Sequence, residues 1–145
     1  MFLERLPQFI SNHPVLVALF VLVLVVLFKH ELASMARGFQ LISPAAVVQM
    51  INRDNALLID VSPRADFEAA HIAGAKHLEL ARLDPEQPDL ARVRDLPVVV
   101  SCRNGSASRS VCQRLVKAGF SRVHCLERGI EGWLVAELPV VKGKA

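Results

Sequence analysis

One cysteine, Cys102, lies in a sequence context that suits a nucleophile. It follows the β-branched run 98–100 and precedes a loop of small and polar residues that leads into a helical pattern. Gly105 can adopt a positive φ there, so that backbone N–H groups turn inward as an anion-binding nest at a helix N-terminus. Arg103 and Arg109 add positive charge. Since such surroundings favour a thiolate, we predict a nucleophilic Cys102 that needs no adjacent histidine, the alternative being a buried, inert cysteine.

Alternating strand and helix patterns must position this loop. Ser43 and Pro44 are typical of an N-cap and a first helical position, and Gly119 is typical of a helix C-terminus. Apolar runs predict strands at 56–60, 76–80, 98–100 and 122–126. Helices are predicted from 44 to about 52–55 and at 65–70, 108–118 and 129–136. This alternation predicts a parallel α/β sheet, with Cys102 at the carboxyl end of a strand, where such sheets carry their chemistry.

Three stretches resemble signatures of one family. The residues at 102–108 resemble the active-site loop of the rhodanese-like (sulfurtransferase) family, and residues 57–75 are similar to its first signature. Residues 128–133, followed by 138–140, are similar to its C-terminal signature. The motifs occur in the family's order and cover roughly residues 43–140. The resemblance implies a central five-stranded parallel sheet flanked by helices.

The resemblance also implies sulfane sulfur transfer through a persulfide on Cys102. The donor would be a small anion, such as thiosulfate or a low-molecular-weight persulfide, and the acceptor a thiol or cyanide. We expect ping-pong kinetics, with no metal or organic cofactor. Asp60, Arg64 and Arg109 are expected to support the site. The loop residues expected to bind substrate are Arg103, Asn104, Gly105, Ser106, Ala107 and Ser108.

Two alternatives remain beside the sulfurtransferase. The dual-specificity phosphatases that share this fold have an arginine six positions after the cysteine, but Ser108 stands at that position and Arg109 comes one place too late. This spacing argues against phosphate monoester hydrolysis. The stronger alternative is a membrane-tethered binding or scaffold module with little free-standing catalysis.

The N-terminal segment is a separate signal. Residues 14–28 carry no polar side chain, and adding residues from Phe9 gives about the 20 residues that a bilayer requires. We predict an anchor at 1–32 with a transmembrane helix at about 9–28, a linker at 33–42, the rhodanese-like domain at 43–141 and a basic tail at 142–145. A signal peptide and a buried helix are the alternatives; a weak basic leader and an already complete domain argue against them.

Charge and cysteine usage limit where the protein is expected to lie in the cell and what it is expected to bind. Arg5 precedes the apolar segment, whereas Lys29 and Arg37 follow it, which favours a single-pass protein of a bacterial inner (plasma) membrane with a cytoplasmic C-terminal domain. The net charge of +3 is interleaved rather than clustered, so nucleic acid is not expected as a partner, although a membrane protein is possible. Three cysteines without close spacing predict neither a disulfide framework nor a metal site, and Cys125 could act as a resolving cysteine.

Overall fold

The computed structural model describes residues 2–144, which form two compact units, one ending at Ala36 and the other beginning at Arg37. The first unit contains helices α1 (Phe2–Asn12) and α2 (Pro14–Ala36). Pro14 opens α2, where its missing N–H costs nothing. Within α2, Pro14–Ala33 is long and apolar enough to cross a membrane by length and composition, properties that an N-terminal signal sequence shares.

The apolar helix is shifted along the chain from the predicted 9–28. It begins at Pro14 because a separate, amphipathic helix α1 accounts for the residues before His13. It continues to Ala36 because the residues after Glu31 are good helix formers. Together with a strand at Gln40–Ile42, this leaves only 37–39 of the predicted linker 33–42 outside regular structure.

The second unit is a parallel five-stranded sheet flanked by helices, which confirms the predicted fold class. Its elements are β1 (Gln40–Ile42), α3 (Pro44–Asp54), β2 (Leu57–Asp60), α4 (Arg64–Ala69), β3 (Lys76–His77), α5 (Pro88–Ala91), β4 (Val98–Ser101), α6 (Ser106–Lys117), β5 (Val123–Leu126) and α7 (Gly129–Val135). The strand order is β1-β5-β4-β2-β3, and every pairing is parallel. β4 is therefore the central strand.

Two of the strands differ from the sequence prediction. The predicted strand 76–80 ends at His77, because the chain at this sheet edge turns into a short 3-10 helix at Leu80–Arg82. The first strand, β1, was not predicted from the apolar pattern because it has three residues, of which Gln40 is exposed. It joins the sheet through β5, with Gln40 opposite His124.

The sheet is covered on both faces. Successive side chains of a strand point to opposite faces, and Val98 and Val100 pack in one apolar cluster whereas Val99 packs in the other. The first cluster includes α6 and α5, and the second includes α3, α4 and α7. The chain thus leaves β4 toward one face and leaves β2 toward the other, which opens a crevice beyond the carboxyl ends of these neighbouring strands.

Local signals explain where the helices begin and end. Ser43 Oγ accepts a hydrogen bond from Ala46 N at 3.4 Å, and Pro44 occupies the first turn of α3, as predicted. Gly119, at φ +91°, follows the C-terminus of α6.

His71 and Trp133 are both buried in the core. His71 Nδ1 lies 2.8 Å from the Phe67 carbonyl oxygen, and Trp133 Nε1 donates to the Pro139 carbonyl oxygen.

Candidate active site

Cys102 lies immediately beyond β4, in the four-residue loop that leads to α6. Its side chain is buried, with 2% of the residue exposed. Gly105 N–H donates to Cys102 Sγ at 3.1 Å. This backbone geometry requires φ +89° at Gly105, a conformation that glycine adopts without strain. The sulfur therefore receives a backbone donor at the beginning of α6, where the helix dipole also favours negative charge.

A buried serine lies behind the sulfur. Ser108 is fully buried, and its hydroxyl donates to the Gly105 carbonyl oxygen at 3.0 Å. The hydroxyl oxygen of Ser108 is 3.6 Å from Cys102 Sγ and 3.2 Å from Cys125 Sγ. Ser108 therefore holds the loop from inside and separates Cys102 from Cys125. A resolving role for Cys125 would require this hydroxyl to move aside.

The two remaining cysteines form a buried pair next to Ser108. The Cys112 thiol donates to the His124 carbonyl oxygen at 3.6 Å. Its interaction with Cys125 lowers the pKa of Cys125, to about 7, with help from Ser108 and the charge of Arg109, although burial opposes the shift. The same interaction and burial raise the pKa of Cys112. Cys125 is thus the member of the pair that ionises first.

Replacing Ser108 by alanine should raise the pKa of Cys125. In the wild type this pKa is lowered from 9.0, so between about pH 7 and 9 the unfolded chain binds a proton that the folded chain has released. Stability should therefore rise with pH in the lower part of this window, by up to about 1.4 kcal/mol per unit, and S108A should flatten the rise. Towards pH 9 the raised pKa of Cys112 opposes the rise, because the unfolded chain then releases a proton that the folded chain keeps. His124 titrates below the window because burial lowers its pKa.

Denaturant unfolding of the full chain in detergent at several pH values measures this dependence. Cys125→Ala is the matched control, because it removes the titrating thiol and should flatten the same rise. A rise that S108A leaves unchanged would contradict the assignment.

Helix α7 fixes the backbone of the loop from the other side. Ile130 N–H donates to the Cys102 carbonyl oxygen at 2.9 Å, and Glu131 N–H donates to the Arg103 carbonyl oxygen at 3.0 Å. Only glycine fits at position 129, because a Cβ there would lie 1.9 Å from the Cys102 carbonyl oxygen. The sequence signal for this support was the pair Arg128-Gly129, although its role in holding the loop was not predicted.

Arg103 lies beside a cleft of about 250 Å³. Its guanidinium is 3.7 Å from a carboxylate oxygen of Asp66 on α4 and 3.7 Å from one of Glu131 on α7. From the sequence, Arg103 was expected to bind an anionic donor, whereas the structure places two carboxylates beside its charge. Both were missed because they come from elements far apart along the chain.

Some of the other predicted site residues belong to the loop, whereas others lie on α6 or α4. Asn104 Oδ1 accepts hydrogen bonds from Ser106 N at 3.1 Å and Ser106 Oγ at 2.7 Å, which shapes the loop, and Ala107 packs against the core. Arg109 is exposed on α6, and its charge contributes to the Cys125 pKa. Arg64 does not join the loop: its Nε pairs with Glu68 at 3.0 Å on the surface of α4.

Asp60 is fully buried at the carboxyl end of β2, opposite Ser101 in the sheet register. Its Oδ1 accepts a hydrogen bond from Ser62 N at 2.8 Å, and its Oδ2 has no partner among the described residues. Asp60 therefore shapes the turn after β2. Within residues 2–144 no group of three or more His, Cys, Asp or Glu side chains is arranged to hold a metal ion.

The comparisons with known proteins agree with this geometry. The model of the rhodanese-like domain matches residues 43–136. The chain belongs to the rhodanese-like family. Among relatives of this rhodanese-like chain, YibN of Escherichia coli (strain K12), itself uncharacterised, is 33% identical over 98% of this chain and 100% of YibN. Thiosulfate sulfurtransferase GlpE of Glaesserella parasuis serovar 5 is 34% identical over 75% of this chain and 99% of GlpE.

Solved structures show the same rhodanese fold. The crystal structure of a thiosulfate sulfurtransferase from Pseudomonas aeruginosa superimposes with a TM-score of 0.64 at 20% identity. The match covers 73% of this chain and 20% of that one. At this identity the likeness concerns the fold alone. The rhodanese-like family consists generally of sulfurtransferases, and the GlpE homologues carry that name.

Proposed function

We propose that this protein is a membrane-anchored sulfurtransferase that carries sulfane sulfur as a persulfide on Cys102. The observation that carries the proposal is the hydrogen bond of 3.1 Å from Gly105 N–H to Cys102 Sγ at the start of α6. A donor directed at the sulfur stabilises negative charge there before and after sulfur is taken up. The likeness to GlpE thiosulfate sulfurtransferases, at about 34% identity, supports the same activity.

The first half-reaction is a displacement at sulfur. The Cys102 thiolate attacks the outer sulfur of thiosulfate, a new S–S bond forms, and the original S–S bond breaks with sulfite leaving as a dianion. A low-molecular-weight persulfide would react in the same way, with its thiolate as the leaving group. The loop amides of residues 103–108 then stabilise the terminal sulfur.

The second half-reaction returns the enzyme to its starting state. A thiolate or cyanide attacks the terminal sulfur, the S–S bond to Cys102 breaks, and Cys102 leaves as a thiolate. The sulfur passes on as a new persulfide or as thiocyanate, and the protein undergoes no net redox change. Ser108 occupies the position of the phosphatase arginine and presents a hydroxyl inward, so no guanidinium stands at that position.

For the location of this activity, we propose that Pro14–Ala33 anchors the protein in the inner membrane. Lys29 and Arg37 after the apolar core, against Arg5 before it, favour a cytoplasmic domain. The predicted division into an anchor at 1–32, a domain at 43–141 and a tail at 142–145 stays part of this proposal, with the domain extended to include β1. A membrane protein partner remains compatible with this location.

Peptide mapping by mass spectrometry tests the proposal. The detergent-solubilised full chain is incubated with thiosulfate, freed of excess donor and digested under non-reducing conditions. We expect one added sulfur, about 32 Da, on the peptide containing Cys102, removed by cyanide, while the peptides of Cys112 and Cys125 serve as internal controls. A folded protein that takes no sulfur from thiosulfate or from glutathione persulfide would instead favour the binding module.

A further inference from the structure

The cleft beside the candidate active site is directly attached to the reactive loop. One of its walls is Arg103, the residue after Cys102, and another is formed by Ile130 and Glu131, whose N–H groups bond to the carbonyl oxygens of Cys102 and Arg103. The third wall comes from the segment after β2, including Ser62 and Asp66. A molecule in this cleft would therefore contact Arg103, the residue that follows Cys102 in the reactive loop.

The charges of the cleft favour a cation. Of the residues that line it, Arg103 is positive while Asp66 and Glu131 are negative, which leaves a net charge of −1. Each carboxylate lies 3.7 Å from the guanidinium, beyond the usual length of a direct hydrogen bond. The side chains of Arg103, Asp66 and Glu131 are 68%, 36% and 53% exposed, respectively, so both carboxylates can still face an incoming group.

The size and the remaining lining of the cleft favour something larger than the sulfur donor. The cleft has a volume of about 250 Å³, whereas the proposed site for thiosulfate is formed by the loop amides. The remaining wall is apolar: it consists of Ala69, Ala70 and Leu134. A short organic side chain fits such a wall better than an inorganic dianion does.

We propose that this cleft is the subsite for the sulfur acceptor, and that Asp66 and Glu131 make it prefer a thiol with a positive charge over an anionic thiol. The inference rests on the proposed persulfide at Cys102 and adds the class of acceptor. The acceptor thiol loses its proton to solvent, and its sulfur attacks the terminal sulfur of the persulfide. The S–S bond to Cys102 then breaks, and Cys102 leaves as a thiolate.

Two small thiols of similar size and opposite charge test this selectivity. The sulfur-loaded full chain, in detergent at low ionic strength, is discharged with cysteamine or with 2-mercaptoethanesulfonate, and loss of the added sulfur is followed by mass spectrometry. We expect the rate ratio of cysteamine to 2-mercaptoethanesulfonate to fall by roughly fivefold to tenfold in D66N/E131Q relative to the wild type. Comparing ratios between variants removes the intrinsic reactivity of each thiol.

The matched control is D89N/D95N. It also removes two negative charges. Asp89 and Asp95 are exposed and lie in or near α5, which packs on the opposite face of the sheet from α4 and α7. The control should keep the wild-type ratio. If D66N/E131Q changes the ratio no more than D89N/D95N does, the inference is overturned.

A second measurement separates failure of the cleft from failure of the proposed function. Unloaded protein is treated with 2-(trimethylammonium)ethyl or 2-sulfonatoethyl methanethiosulfonate, each of which forms a mixed disulfide with Cys102 and releases methanesulfinate. D66N/E131Q should lower the preference for the cationic reagent by a similar factor, even if Cys102 accepts no sulfur from any donor. An unchanged preference overturns the charge assignment, whereas a protein that fails to load overturns only the persulfide chemistry.

Discussion

Replacing Cys102 by serine is expected to abolish sulfur transfer from thiosulfate to cyanide, with a loss of more than about 10³-fold in rate. A serine hydroxyl does not ionise under conditions where a thiol does, and no persulfide can form on oxygen. The substitution is nearly isosteric, and Gly105 N–H can still donate to the Ser hydroxyl, so the loop should keep its conformation. Thiocyanate formation by the full chain in detergent measures the loss.

The control for this experiment is Cys112→Ala. Cys112 is buried on α6, where its thiol donates to the His124 carbonyl oxygen at 3.6 Å, and its loss leaves Cys102 and Cys125 in place. This variant should therefore keep most of the wild-type rate. If Cys102→Ser still forms thiocyanate at a comparable rate, or still gains sulfur on one of its other cysteines, the assignment of the nucleophile is wrong.

Gly129→Ala is expected to destabilise the domain by about 4 kcal/mol or more and to remove most of the activity. The new Cβ would lie 1.9 Å from the Cys102 carbonyl oxygen and 2.9 Å from that of Arg103. Both oxygens already accept hydrogen bonds from α7, so they cannot move away without breaking them. The loop and α7 would have to separate, which displaces the sulfur from its backbone donor.

Gly119→Ala separates steric clash from backbone strain. Gly119 also has a positive φ, +91°, but a Cβ there would have no atom within 4 Å. We expect it to cost only about 1–2 kcal/mol and to leave sulfur transfer unchanged. The fluorescence of Trp133, the single tryptophan and a buried residue, reports unfolding of both variants. Equal melting temperatures for the two would contradict the close approach at Gly129.

Most of the fold could be predicted because its signals are local. The strand 98–101, the cap at Ser43 and Pro44, and the glycine after α6 each depend on a few adjacent residues, and each is found where predicted or within two residues of it. The misses lie at sheet edges. β1 and β3 are short, and only their partner strands determine how far they extend.

The position and shape of the loop around Cys102 could be predicted from the sequence, whereas the side chains that surround it could not. The motif around Cys102 located the loop, and Gly105 was expected to take positive φ, as it does. The carboxylates beside Arg103 could not be predicted, because Asp66 and Glu131 are brought together only by packing of α4 and α7. The same holds for the hydroxyl of Ser108, whose contact with Cys125 depends on the distance between α6 and β5.

The placement of β1 at the edge of the sheet has a consequence for the order in which the chain folds during synthesis. β1 is made first among the strands, but its partner β5 follows about 80 residues later. A long loop must close before this pairing gains anything, which slows folding. The first strand of the domain therefore stays unpaired while the rest of the domain is translated. A ribosome pausing between β1 and β5 would leave that strand open to chaperones or to misplaced pairing.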